Sequence, residues 1–273
     1  YFDSYQDAPD SQPEAIGGYL PLAKVYSFNP VPDTLSADKV QLVYGVQANL
    51  FTEYIPTPEH AEMMIYPRIL ALAEVAWSAP SVKNYDDFHV RALKEVEALK
   101  AEGYHPFELK NEIGNRPGAD QPVQHLAVGK KVAYGPDAAY YPGYSAGGDS
   151  ALVDGVIGGW TYGDRRWQGF IDKKRMDVTI DMEKETEIHS VGADFMQVCG
   201  PEVFIPSEVI ISVSNDGKEF TELKRMEHKV VKDDKVTFIN FGWEGNAKAR
   251  YIRYQASSGE FGGFLFTDEI VVK

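Results

Sequence analysis

Two short stretches of this sequence combine aromatic faces with charged groups, which is the chemistry needed to hold a polar, uncharged ring. Trp160 to Phe170 carries Trp160, Tyr162, Asp164, Arg165, Arg166 and Trp167. Ser258 to Phe264 carries Glu260, Phe261 and Phe264 among Gly259, Gly262 and Gly263. A sugar site needs an aromatic platform for the C–H face and polar groups for the hydroxyls. Glycines and charges surround Tyr162 and Phe261, so both are expected to be exposed. Alternation and strand neighbours place Trp167 and Phe170 in a core instead. Asp154-Gly155 reads as a turn and Glu269 as a surface acid.

Charge narrows the partners. The formal net charge is −14, with 27 Lys and Arg against 41 Asp and Glu. Nucleic acid is therefore not the expected partner, because phosphate binding requires clustered cations. A neutral glycan fits. The single cysteine, Cys199, excludes an internal disulfide. No apolar run reaches the ~20 residues of a membrane helix. Met63 to Trp77 is apolar but contains Arg68 and Glu74 and reads as a core helix. The start at Tyr1, without Met or a targeting segment, reads as that of a fragment.

Three regions must position these residues. Over 1–106 the texture is mixed. Val40 to Leu50 alternates and predicts a buried strand. Thr57 is placed as an N-cap, with Pro58 in the first helical turn. Ile65, Ile69, Leu72, Val75 and Ala76 keep helical spacing. A further helix is expected from Tyr85 to Glu102, with Phe88, Leu93, Val96 and Leu99 near one face, ending at Gly103. Residues 107–126, with Gly114, Pro117, Gly118 and Pro122, read as a linker. From 127 to 273 helical periodicity gives way to short alternating strands: Val178 to Asp181, Val209 to Val213, Val236 to Asn240, Tyr251 to Tyr254 and Ile270 to Val272. Asn215-Asp216-Gly217 marks a hairpin turn. An antiparallel sandwich is expected there.

The first region resembles a known family. Tyr1-Phe2-Asp3, Tyr26 to Pro30, Gly45 to Glu53, Tyr66-Pro67-Arg68 and Ala73 to Ser78 follow one another in order. Together they resemble the end of a glycoside hydrolase family 20 catalytic domain, the β-N-acetylhexosaminidases. The resemblance implies the last two βα units of an incomplete (β/α)8 barrel, with the active site at the strand ends. It implies substrate-assisted retaining catalysis, in which the 2-acetamido oxygen is the nucleophile. By resemblance Tyr1 contacts the acetamido carbonyl, and Asp3 and Glu53 hold the hydroxyls of the terminal sugar. Phe51 and Phe28 stand where the family usually has tryptophans facing that sugar and the next one. The family's catalytic Asp-Glu pair is not found in this region; the one Asp-Glu dipeptide is Asp268-Glu269. No turnover is therefore expected from this chain alone, and the missing N-terminal part of the same enzyme is its expected partner. The substrate implied is a glycan with a terminal N-acetylhexosamine, met outside the cytoplasm.

The second region resembles an F5/8 type C, discoidin-like domain of the galactose-binding (jelly-roll) class. Leu126 to Lys130, Ala151 to Gly155, Trp167 to Phe170, Val178 to Met182, Ser212 to Gly217, Arg250 to Arg253 and Asp268 to Ile270 carry that resemblance. It implies a structural Ca2+ held by Asp154, Glu269 and the Ala151 carbonyl. It also implies a glycan site among the end loops, to which Tyr162, Arg165 and Phe261 are assigned. The alternatives are a stand-alone binding module and a sandwich that is only structural.

Overall fold

The computed structural model describes residues 1–136, 138–171 and 176–273. They form two compact units, Tyr1–Gly114 and Asn115–Lys273. The proline- and glycine-rich stretch 107–126 is divided between them at 114/115.

Unit 1 is helical: α1 (Leu22–Tyr26), α2 (Pro58–Ile65), α3 (Arg68–Trp77) and α4 (Tyr85–Ala101). Thr57 caps α2, its hydroxyl accepting from His60 N at 3.2 Å, with Pro58 in the first turn. Asn84 caps α4 in the same way through Asp87 N. The apolar spacing from Ile65 to Ala76 runs across a break, because Pro67 has no N–H to continue the helical ladder. Helix α4 ends at Ala101 and buries Phe88, Ala92 and Val96. These residues pack with Phe2, Leu22, Tyr26, Leu72 and Phe107.

One side chain ties this unit together. Arg68 is fully buried. Its guanidinium donates to Ser4 O at 2.9 Å, Met64 O at 3.0 Å, Leu20 O at 3.2 Å and Phe2 O. It also lies 4.8 Å from the Phe2 ring centroid. Burial pulls its pKa down to about 9. The group is still charged at neutral pH, so four backbone acceptors from three segments converge on a cation.

The buried strand expected over Val40–Leu50 is not formed. Ala37–Leu42 is a 3-10 turn, and the chain beyond it is extended without a ladder. No β-strand occurs in Tyr1–Gly114, so the barrel end implied by resemblance is not seen in unit 1. A barrel strand needs hydrogen-bonded neighbours on both edges. Here a single backbone bond, Phe2 N to Asn49 O at 2.8 Å, stands in for them. Of the alternating positions only Val46, Ala48 and Leu50 are half-buried; Val40, Leu42 and Tyr44 are exposed, and Asn49 is half-buried between Ala48 and Leu50.

Unit 2 is an antiparallel sandwich of β1 (Lys131–Tyr134), β2 (Gln168–Ile171), β3 (Met176–Gln197), β4 (Glu208–Ser214), β5 (Thr221–Glu227), β6 (Thr237–Ser257) and β7 (Phe264–Val272). In place of uniformly short strands, β3 and β6 span 22 and 21 residues. They pair throughout, with register shifts between Asp181 and Thr186 and between Ile188 and Ser190. One half of each strand joins β1, β4 and β5; the other half joins β7 and β2. The two halves face each other. Tyr254 Oη donates to Phe241 O at 2.8 Å, although they are 13 residues apart in β6. A straight strand would separate them by roughly 43 Å. Between the layers lie Val178, Ile180, Val191, Phe195, Ile211, Ile252 and Ile270. The opposite face of the β2–β7–β3 layer carries a second cluster of Trp167, Met196, Val203 and Phe266. Trp167 is thus core, as its alternation predicts. At the margin, Leu126 N donates to Val272 O at 2.9 Å, which joins the start of the sandwich to its last strand.

Replacing Arg68 with Met removes the donor to four backbone carbonyls, those of Phe2 and Met64 in buried bonds and those of Ser4 and Leu20 in part-buried ones. The expected loss is at least about 3 kcal/mol, read as a lowered midpoint of the helical circular dichroism signal in denaturant. An unchanged midpoint would remove Arg68 as the organising group.

Candidate functional site

In unit 1, three of the residues picked from sequence are drawn to one turn by the fourth. Asp3 is buried, and its Oδ1 accepts from Phe51 N at 2.7 Å and Thr52 N at 2.9 Å. These bonds hold Thr52 at φ 62°, a left-handed conformation that is costly for a β-branched residue. The turn leaves Phe51 69% exposed, against a Tyr1 ring 5.4 Å away, and leaves Glu53 exposed beside them. Asp3 therefore works first as the anchor of this turn. Its second oxygen, Oδ2, has no partner. Phe28 follows α1 and is half-exposed on a separate cavity of about 450 Å³ with Pro32, Val75 and Lys83. No ring contact joins it to Tyr1 or Phe51 among the described residues.

In unit 2, Ala151 is buried in a 3-10 turn, Ala151–Val153, that delivers Asp154 towards Glu269 on β7. Glu269 Oε1 accepts from Gly155 N at 2.9 Å and meets His125 Nε2 at 2.7 Å. Its Oε2 is buried without a partner. Asp154 Oδ1 accepts from Val156 N at 2.8 Å. Burial raises the pKa of both carboxyls, and the charge of Asp154 adds to the rise at Glu269. Gly155 is required here: φ is +81°, and a Cβ would lie 2.8 Å from Val123 O. Two adjacent carboxylates with one orphaned oxygen suit a hard cation. Among the described residues, however, no three His, Cys, Asp or Glu side chains converge as a metal-binding group. His125 was not signalled by the sequence, since it stands alone 144 residues from its partner.

Of the three glycan candidates, Tyr162 departs from expectation. It is half-buried, stacked on Phe266 with centroids 4.7 Å apart and edge-on to Tyr144. The glycine-rich setting that suggested exposure instead lets the loop lie flat on the second cluster. Arg165 is exposed at φ 68°. Phe261 is 37% exposed, tilted against Phe204, with Lys232 Nζ 4.3 Å from its centroid. No ring contact links Phe261 to Tyr162 among the described residues.

A buried ion cluster escaped the sequence reading. Arg116 donates to Asp268 Oδ2 at 2.7 Å, to Gly158 O at 2.7 Å and to Asp194. Its guanidinium also lies 4.9 Å from both the Trp167 and Phe238 rings. Asp268 Oδ2 additionally accepts from Gly158 N at 3.0 Å. Burial pushes the Asp268 carboxyl up to about 6, against the pull of Arg116.

Two family models match this chain. Residues 1–80 match the glycosyl hydrolase family 20 catalytic domain, and residues 137–270 match the F5/8 type C domain. The chain is 49% identical over 88 residues to a beta-hexosaminidase of Porphyromonas gingivalis, covering 32% of this chain and 11% of that protein. It is 32% identical over 96 residues to a beta-N-acetylhexosaminidase of Cellulomonas fimi, covering 35% of this chain and 19% of that protein. The chain thus spans a fifth or less of these relatives' lengths. Among solved structures, CpGH89CBM32-5 of Clostridium perfringens, in complex with GalNAc-β-1,3-galactose, superposes with TM-score 0.38 and 18% identity over 55% of this chain and 99% of that one. Chitosan-binding module 1 of a Paenibacillus sp. IK-5 chitosanase/glucanase gives TM-score 0.38 and 16% identity, over 55% and 99%. The family 20 stretch holds Tyr1, Asp3, Phe28, Phe51 and Glu53, and the F5/8 type C stretch holds the Asp154–Glu269 pair.

The Asp268 carboxyl has a folded pKa of about 6 against an ordinary value of 3.8, so the folded state holds its proton more tightly. Its contribution to stability is full below the ordinary value and is lost as pH rises towards 6 and beyond. Asp154, Asp164 and Glu269 are raised as well and act in the same direction. The sandwich should melt higher at mildly acidic pH than at neutral pH, and Asp268→Asn should flatten that dependence. A variant with the wild-type slope would show that Asp268 is not its source.

Proposed function

We propose that this chain is part of a β-N-acetylhexosaminidase that removes terminal N-acetylhexosamine residues, supplying a substrate-holding turn and an accessory carbohydrate-binding sandwich. The match of residues 1–80 to a hexosaminidase family supports the reaction class. The observation that carries the role is the Asp3-anchored turn. It sets two aromatic rings and one carboxylate on an exposed edge, where a sugar ring could lie against Phe51 and hydrogen-bond to Glu53.

In the reaction we infer, the substrate's acetamido oxygen attacks the anomeric carbon. The residues of this chain hold rather than protonate. Tyr1 donates to the acetamido carbonyl, Glu53 accepts from ring hydroxyls, and Asp3 fixes the turn that carries both Phe51 and Glu53. The general acid is supplied by chain outside these residues, so the 273 residues alone are expected to be inactive. Phe28 lies apart and would serve a neighbouring sugar unit. Extracytoplasmic action follows from the glycan substrate proposed.

The sandwich is proposed to bind glycan through exposed Phe261 and Arg165, with Tyr162 as support beneath the loop. A Ca2+ ion fits between Asp154 and Glu269, with the Ala151 carbonyl as a third ligand. It would satisfy the orphaned Glu269 Oε2 and neutralise two carboxyls that burial disfavours. Its contribution would be structural, tying the 151–155 turn to β7. Among the described residues no helix is long and apolar enough to cross a membrane.

The two roles separate experimentally. In the intact enzyme, Glu53→Gln should lower kcat/KM by roughly tenfold or more, as expected for losing a charged hydrogen bond to substrate. A wild-type value would count against the substrate-holding role. For the sandwich, isothermal titration of this chain with oligosaccharides ending in N-acetylglucosamine or N-acetylgalactosamine, with and without Ca2+, should show saturable binding. Phe261→Ala should weaken it about tenfold. Absence of binding to every sugar would leave the sandwich as a structural module.

A further inference from the structure

Phe261 does not stand clear of the protein. Lys232 Nζ lies 4.3 Å from its ring centroid and 5.1 Å from that of Phe204, and the two centroids are 5.4 Å apart. These distances fix where the ammonium sits. On the side of Phe261 opposite to Phe204, it would be far outside cation–π reach of Phe204, which ends at about 6 Å. It is within reach of both rings, which are tilted by 37° to each other. The ammonium therefore faces both at once. Phe204 is buried beneath it, and Phe261 is the partly exposed member of the pair.

Lys232 is delivered by the connection between β5 and β6. His228 N at the start of that connection donates to Ser207 O at 2.8 Å. Val230 lies against Gly259, where a Cβ would stand 3.6 Å from Val230 Cγ2. The carbonyl of Val231 accepts from Nε2 of the buried Gln197 at 2.9 Å. The backbone before Lys232 is thus fixed against the late loop. The ammonium itself is not fixed by charge. The chain has a net charge of −14, and Asp233 and Asp234 follow directly, yet among the described residues no carboxylate forms an ion pair with Lys232. The side chain is exposed, and a cation over a ring at an exposed site is held weakly. Such a contact is easily exchanged for another.

The competitor follows from the ring electrostatics. An aromatic face is negative, so it attracts an ammonium and the C–H face of a sugar for the same reason. One surface cannot hold both. We propose that Lys232 is a self-competing lid on the sugar platform of the sandwich. In the free protein its ammonium occupies the surface of Phe261 and Phe204, and a sugar ring binds there by taking its place. This rests on the carbohydrate-binding role proposed for the sandwich. Displacement uncovers two rings instead of one and returns the ammonium to water. In the absence of sugar, the lid keeps an apolar platform from standing bare.

The test is isothermal titration of the full chain with the methyl β-glycosides of N-acetylglucosamine and N-acetylgalactosamine, for wild type, Lys232→Ala and Lys232→Arg. Lys232→Ala should bind about threefold more tightly than wild type. Lys232→Arg, which restores a cation, should bind no more tightly than wild type. Equal or weaker binding by Lys232→Ala would overturn the lid and leave the carbohydrate-binding role standing. Binding by none of the three proteins would overturn that role, and the lid with it. A second measurement needs only the wild type, with ¹³C-labelled lysine. The ε-methylene signal of Lys232, identified by its loss in Lys232→Ala, should be moved upfield by the ring currents of Phe204 and Phe261. Saturating sugar should return it to the position of a solvated lysine. A signal that stays in place while sugar saturates the protein would also overturn the proposal.

Discussion

A guanidinium keeps its charge at any ordinary pH, so a chain that buries one must bring acceptors to it. Each unit of this protein is organised by that constraint. In unit 1 the acceptors are backbone carbonyls: Arg68 draws Phe2, Ser4, Leu20 and Met64 to a single point. The segment that carries Tyr1 and Asp3 is fixed from both sides, by Arg68 behind and by the Phe51–Thr52 amides in front. In unit 2 the acceptors are carboxylates. Arg116 binds Asp194 on β3 and Asp268 on β7, so one cation joins two neighbouring strands of the same layer while resting on Trp167 and Phe238.

The candidate residues inherit their positions from these anchors. Asp3 belongs to the segment organised by Arg68, which is why its carboxylate is spent on a turn before it can meet a ligand. Glu269 follows Asp268 directly, so the Arg116 cluster sets the register that brings Glu269 to Gly155 and His125. In both places the candidate carboxylate is one step removed from a buried ion contact. Each also has one carboxylate oxygen left without a partner, Asp3 Oδ2 and Glu269 Oε2.

Much of this was legible in the residues alone, where the signal was local. Thr57 before Pro58, the Phe88 and Val96 stripe, and the alternation of Val178 and Ile180 each declare a neighbouring backbone state, and each is found as read. What failed depended on partners distant in sequence. Val46, Ala48 and Leu50 are half-buried while Val40, Leu42 and Tyr44 are exposed, because a strand is a property of a pair and unit 1 has no second strand to offer. Glu183-Lys184-Glu185 is exposed, yet β3 pairs with β6 on both sides of it, so one long strand reads as short pieces. Arg68 shows in the sequence only as a charge within an apolar helix, and nothing local announces the distant acceptors of Arg68 or Arg116. Tyr162 misled for a related reason: glycines free a loop to move, and equally free it to lie down on a neighbouring ring.

The bond from Leu126 N to Val272 O puts the first residues of the sandwich beside its last strand. A module with adjacent ends responds to mechanical load in a particular way. Tension applied through those ends pulls two neighbouring segments apart at one edge. It breaks their hydrogen bonds in succession, like a seam opened from its end, and does not load the β3–β6 ladder in parallel.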